Sequence, residues 1–168
     1  NTNQLADGSN DTAKYNGISQ LGKEMIKEMN RLGILIDMSH ISAKAMSDIL
    51  DITKAPVIFS HSNVRALCDV NRNVPDDILI RLKQNNGIIM LTPVPYFTRD
   101  EHNRWLNNRD SMGEALYARF KQNPNDSLAL DKINEQWQLD NPEPVVTIAD
   151  LANHFDYVKK LIGVDYIG

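Results

Sequence analysis

The chain has 168 residues, a net charge of −4, 42% hydrophobic residues and one cysteine. That length suits a single domain with a buried core. Mild acidity of mixed sign gives no electrostatic reason to bind nucleic acid, no apolar run approaches the ~20 residues of a membrane span, and a lone Cys68 excludes a disulfide framework or a multi-cysteine zinc site.

The N-terminus lacks the cationic-then-apolar pattern of a signal peptide, so the expectation is a soluble globular domain. Residues 1–18 are rich in Asn, Asp, Gly, Ser and Thr without an apolar period. They read as an irregular loop that contributes nothing to a core, and as the interior of something longer. From Ser19, Leu21, Met25, Met29 and Leu32 recur at helical spacing and predict one buried face, stopped by Gly33. The run Gly33 to His40 is short, apolar and β-branched, as in a strand buried on both faces. Ile41 to Thr53 returns to a helical period, with Ser42 as cap and Ala45, Ile49 and Ile52 inward.

Ala55 to His61 predicts a second strand, with Pro56 tolerable near its start. Pro75, Asp76 and Asp77 open a helix that ends before Gly87. Gly87 to Thr92 is a third strand. Thr147-x-x-Asp150 resembles a capping box, with Asp in place of the usual Glu or Gln. Ile148, Leu151, Phe155, Val158 and Leu161 then line one face of a last helix, and Val164 to Gly168 begins a fourth strand. Strand and helix therefore alternate, which argues for an α/β fold with a parallel sheet and helical crossovers. Residues 99–146 interrupt this order as a helical insertion, with Trp105 and Trp137 packing its helices together; insertions after a strand commonly carry a lid or specificity element.

Two histidines end predicted strands in adjacent units, His40 after Ser39 and His61 between Ser60 and Ser62. The C-terminal strand ends of parallel folds form the active-site rim. Neutral imidazoles one strand apart there converge on a point where a metal could sit. A single strand-end histidine is more often a hydrogen-bonded loop residue, so the pattern alone leaves both readings open. His102, in the insertion, and His154, on the last helix, read as solvated or structural. Cys68 reads as a small buried apolar residue.

Five blocks carry a resemblance: Glu28 to His40, Ala55 to Ser62, Arg72 to Asp77, Thr147 to His154 and Gly163 to Gly168. From Ser19 onward, the insertion apart, they resemble the membrane (renal) dipeptidase family, and the long insertion resembles its bacterial members. The resemblance implies a metal-dependent (β/α)8 TIM-type barrel related to amidohydrolases, with two zinc ions bridged by a carboxylate and a water. It implies hydrolysis of dipeptides, often with a D-residue at the C-terminal position, by a metal-activated water. His40 and His61 match the histidines that hold one zinc. Arg72 matches the arginine that pairs with the substrate carboxylate, a task its planar fork suits.

The family's His-x-Asp pair, its bridging glutamate, a histidine that stabilises the tetrahedral intermediate and an aspartate of the last strand match nothing in this sequence. A whole barrel takes about 250 residues. The resemblance thus implies the C-terminal half of the barrel, a partial domain spanning 1–168. It carries no catalytic residue beyond the metal ligands and at most one weak zinc half-site, so it would be inactive alone. Exposed strand edges would be relieved by a homodimer or, preferably, a longer parent chain. A periplasmic or secreted location is favoured by resemblance to bacterial members. The alternatives are a non-catalytic half-barrel that binds a partner or small acidic ligand, and an amidohydrolase of another amide substrate.

Overall fold

A computed structural model describes residues 1–168. Four extended segments lie side by side, in parallel and in chain order. Only the two inner ones form regular strands: β1 (Ile58–Phe59) and β2 (Ile88–Ile89), paired Ile58 with Ile88 and Phe59 with Ile89. Parallel bridges add Asp37 beside Ile58 and Ile167 beside Ile89. The ladder continues outward, from Met38 N–H to the Ile58 carbonyl at 2.8 Å and from Gly168 N–H to the Ile89 carbonyl at 2.9 Å.

Seven helices connect or flank these segments: α1 (Gln20–Leu32), α2 (Ala43–Ile52), α3 (Asp76–Gln84), α4 (Pro95–Thr98), α5 (Asp100–Gln122), α6 (Ser127–Asp140) and α7 (Ile148–Leu161). Their ends follow local chemistry. Ser42 caps α2 by accepting from Ala45 N–H, and Gly33 closes α1 in the left-handed conformation at φ 70°. Thr147 and Asp150 form the reciprocal capping box at the start of α7, so the shorter aspartate closes it as a glutamate would.

The core lies between the sheet and α1, α2, α3 and α7. Met38, Met46, Val57, Phe59, Leu79, Leu82, Ile89 and Val158 are fully enclosed there. Burying each large apolar side chain contributes about 1.5–3 kcal/mol.

Several expectations need correction. The inward stripe of α1 is Gly22 and Ile26 with Met29 half-buried, whereas Leu21, Met25 and Leu32 are exposed. Gly22 decides this: a Cβ there would stand 2.2 Å from the Leu5 carbonyl oxygen, so the helix turns its one side-chain-free position to the opening segment. On α7, Val158 is buried and Leu161 half-buried, but Ile148 and Phe155 face solvent. Val164–Tyr166 forms a 3-10 turn, because the extended path resumes only where Ile167 meets β2. The segment before His40 is extended only near Asp37, and Ile34 and Leu35 remain exposed. Residues 1–18 also contribute to the core: Ile18 is buried in it and Asp7 is enclosed.

The inserted helices stand away from this core. α5 buries only His102 and α6 only Leu130. Their base is tied down by Trp105 Nε1–H to the Asn141 carbonyl at 2.9 Å, by Arg99 to the Val145 carbonyl at 3.0 Å, and by His102 Nε2 against Glu143 at 2.9 Å. Trp105 and Trp137 pack across the hairpin with ring centroids 6.4 Å apart. His154 is structural and almost fully enclosed. It accepts the Val64 N–H at Nδ1 (3.1 Å) and donates from Nε2 to the Thr98 carbonyl (3.0 Å).

Candidate metal centre

His40 follows the extended segment at Asp37 and His61 follows β1, so adjacent parallel segments deliver both side chains to the same end of the sheet. Their Nε2 atoms face each other at 2.8 Å and the rings tilt by 60°. At that distance one nitrogen donates to the other. Zinc bonds to histidine nitrogen at about 2.0–2.1 Å, so tetrahedral donors sit about 3.3 Å apart, and an opening of about half an ångström would admit an ion.

The His61 ring is fixed from behind. Ser60 Oγ donates to Asp37 Oδ2 at 2.5 Å, and the same oxygen stands 2.7 Å from His61 Nδ1. With its proton on the carboxylate, the hydroxyl accepts from Nδ1–H, which leaves the Nε2 lone pair free. Burial pushes the Asp37 carboxyl up, but hydrogen bonds from Ser60 and Ser39 outweigh it, and the group lies below the usual carboxylate range. Burial and the nearby Arg72 charge hold His40 below the ordinary histidine value, favouring the neutral ring that a metal requires.

Arg72 is brought beside this pair. Its guanidinium donates to the His61 carbonyl and to Ser62 Oγ, both at 2.7 Å, and lies 5.2 Å from the Phe97 ring centroid. The residue is 1% exposed, and its buried Nε–H has no partner. A separate cleft of about 500 Å³ is lined by Asn10, Asp69, Asn71, Tyr96, Asn103 and Asn107, among others, and Arg72 does not line it.

Two imidazoles suit a zinc ion in donor type and direction, but the chain gathers no set of three His, Cys, Asp or Glu side chains able to hold one. Two donors fall short of a complete site, since catalytic zinc takes three protein ligands. Cys68 stays apart, its thiol buried against the Tyr96 carbonyl at 3.4 Å. The flanking serines were visible in the sequence, but the Asp37–Ser60 link was not, because it joins residues from two strands. An aspartate three residues before a strand-end histidine was the available signal.

Over residues 1–168 the sequence matches the membrane dipeptidase family, peptidase family M19. The chain belongs to this family. Among membrane dipeptidase relatives, dipeptidase aclJ of Aspergillus oryzae (strain ATCC 42149 / RIB 40) is 32% identical over 167 residues, covering 99% of this chain and 30% of that protein. Dipeptidase tcpJ of Claviceps purpurea (strain 20.1) is 51% identical over 96 residues, covering 57% of this chain and 20% of the relative. The chain thus spans less than a third of either. The crystal structure of the probable dipeptidase PvdM from Pseudomonas aeruginosa superposes with a TM-score of 0.75 at 29% identity, covering 99% of this chain and 47% of that one. The membrane dipeptidase fold is therefore shared over almost the whole chain. No helix is long and apolar enough to cross a membrane.

Proposed function

We propose that this chain is part of a zinc dipeptidase, with His40 and His61 holding one ion and Arg72 binding the carboxylate of the dipeptide. The observation that carries this reading is the convergence of two Nε2 atoms at 2.8 Å from neighbouring strand ends. When bound, zinc would polarise the scissile carbonyl and lower the pKa of its water. The chain's own residues orient and hold. Ser60 and Asp37 fix the His61 ring. Arg72 keeps an unpartnered Nε–H, and its planar guanidinium suits a carboxylate.

The architecture behind this is the C-terminal half of a (β/α)8 barrel, a partial domain over 1–168 with residues 99–146 as its helical insertion. Four parallel segments in chain order support it, as do relatives more than three times the matched length. The remaining ligands come from other parts of a longer polypeptide, which covers the exposed flanks in preference to a homodimer. The 168 residues alone are inactive, and the location is periplasmic or secreted.

The test is zinc content and dipeptide hydrolysis, measured on the full-length protein and on residues 1–168 alone. The full-length protein is expected to hold zinc and cleave dipeptides, with both lost on His40→Ala or His61→Ala. The short chain should hold one weak ion or none. A full-length protein that binds no metal, or two ions held tightly by the short chain, would sink the proposal.

A further inference from the structure

The two histidines are held in different ways. His61 is fixed through its ring, by Ser60 and Asp37. His40 has no comparable partner: only its Nε2 makes a hydrogen bond, to His61 itself. Its backbone is instead left-handed, at φ 75°. Such a conformation costs about 1–3 kcal/mol for a residue that is not glycine and persists only where its surroundings enforce it.

The enforcing element is the opening loop. Ser9 N–H donates to the His40 carbonyl at 2.9 Å, Gly8 and Ile41 form an antiparallel bridge, and Ser42 N–H donates to the Asp7 carbonyl at 2.9 Å. Residues 7–9 therefore run alongside 40–42 and fix both sides of the strained peptide. That edge is shaped by one side chain. The Asp7 carboxylate is 1% exposed and forms no ion pair with a lysine or arginine, yet it accepts from Lys14 N–H at 2.8 Å, Tyr15 N–H at 3.1 Å and Gly17 N–H at 2.9 Å. A buried carboxylate met only by main-chain donors fixes the path of the chain that supplies them. The Asp7 N–H closes the loop on the Gly17 carbonyl at 3.0 Å.

We propose that Asp7 is a positioning residue for His40: its carboxylate sets the fold of residues 7–17, and that loop holds the His40 main chain in the conformation that turns its imidazole toward His61. The loop does for His40 through the backbone what Ser60 and Asp37 do for His61 through the ring. This inference rests on the reading of the pair as metal ligands.

The test uses the full-length protein. Asp7→Asn places an amide NH2 among main-chain donors. It is compared with Thr147→Ala, a remote cap substitution that lowers stability without touching the site. Two quantities are read: affinity for cobalt(II) with its visible absorption spectrum, and the imidazole nitrogen resonances of His40 and His61 in metal-free protein. Outer-shell partners of metal ligands are typically worth about 10–100-fold in affinity. Asp7→Asn should weaken cobalt binding by about that factor, alter the spectrum and shift the His40 resonances more than those of His61, while Thr147→Ala leaves all three unchanged. If Asp7→Asn does not fold, Ser9→Pro removes the donor to the His40 carbonyl, along with the freedom of the backbone at 8–9, and should give the same result.

Unchanged affinity and unchanged His40 resonances in Asp7→Asn, or in Ser9→Pro where that replaces it, would overturn the proposal. A wild-type protein that binds no cobalt would overturn the metal reading instead. The role of Asp7 would then stand or fall on the His40 resonances of the metal-free variants alone.

Discussion

The carboxylate of Asp37 reaches the imidazole of His61 through a single hydroxyl, that of Ser60, across contacts of 2.5 and 2.7 Å. Removing either intermediary lets the ring choose the wrong tautomer or rotate. Asp37→Asn and Ser60→Ala in the full-length protein are therefore expected to weaken zinc binding by about 10–100-fold. Competition against a chromophoric chelator measures this, and zinc affinity equal to wild type in both variants would show that the link does not orient the ligand.

The substrate role proposed for Arg72 falls on a buried side chain. Its planar fork reaches the His61 carbonyl and Ser62 Oγ together, which the single ammonium of lysine cannot reproduce. Charge-assisted hydrogen bonds contribute about 1.5–3 kcal/mol, so Arg72→Lys should lower kcat/KM for dipeptides with a free carboxylate by about 10–100-fold. The same substrates as C-terminal amides should lose much less. Equal losses on both would argue that Arg72 acts only through the fold.

Burial, with the carboxylates of Asp100 and Asp69 adding to it, pushes the Cys68 thiol up to about 12. The thiolate is the reactive form, so Cys68 should resist a disulfide reagent at pH 8 in the folded protein and react once denaturant is added. Rapid labelling of the native chain would contradict its placement under Tyr96.

His154 predicts a dependence of stability on pH. Burial lowers its pKa, opposed by its bond to the Thr98 carbonyl and by Asp150. Because the folded value lies below the unfolded one, the unfolded chain binds the extra proton first. Stability is then complete above the unfolded value of about 6.5 and declines as pH falls through it, by at most about 1.4 kcal/mol per pH unit for one proton. Urea midpoints between pH 5 and 8 should show this slope in the wild type and a shallower one in His154→Gln. His40 shifts in the same direction, so the difference between the two proteins isolates His154.

Much of this arrangement was legible in the sequence because it depends on local periodicity. The helix boundaries at Ser42, Gly33 and Thr147, and the placing of His40 and His61 after short apolar runs, follow from caps and run lengths. What escaped was set by distant partners. The Leu21, Met25 and Leu32 stripe has the right period but faces solvent, since close approach of the Leu5 carbonyl to Gly22 fixes the rotation of α1. Asp7 looked like one polar residue among many, and its meaning lies in amides up to ten positions away. The strand-end positions of His40 and His61 foretold that the two rings would meet, whereas the hydroxyl beside one and the loop beside the other could not be read.

The inserted hairpin bears on what can be done with the molecule. Its length hangs from ties at one end, through Arg99, His102 and Trp105, while the far turn at Pro124–Asp126 is exposed and touches nothing in the core. A fluorescent reporter or affinity handle spliced into that turn would ride on α5 and α6, leaving the two imidazoles undisturbed.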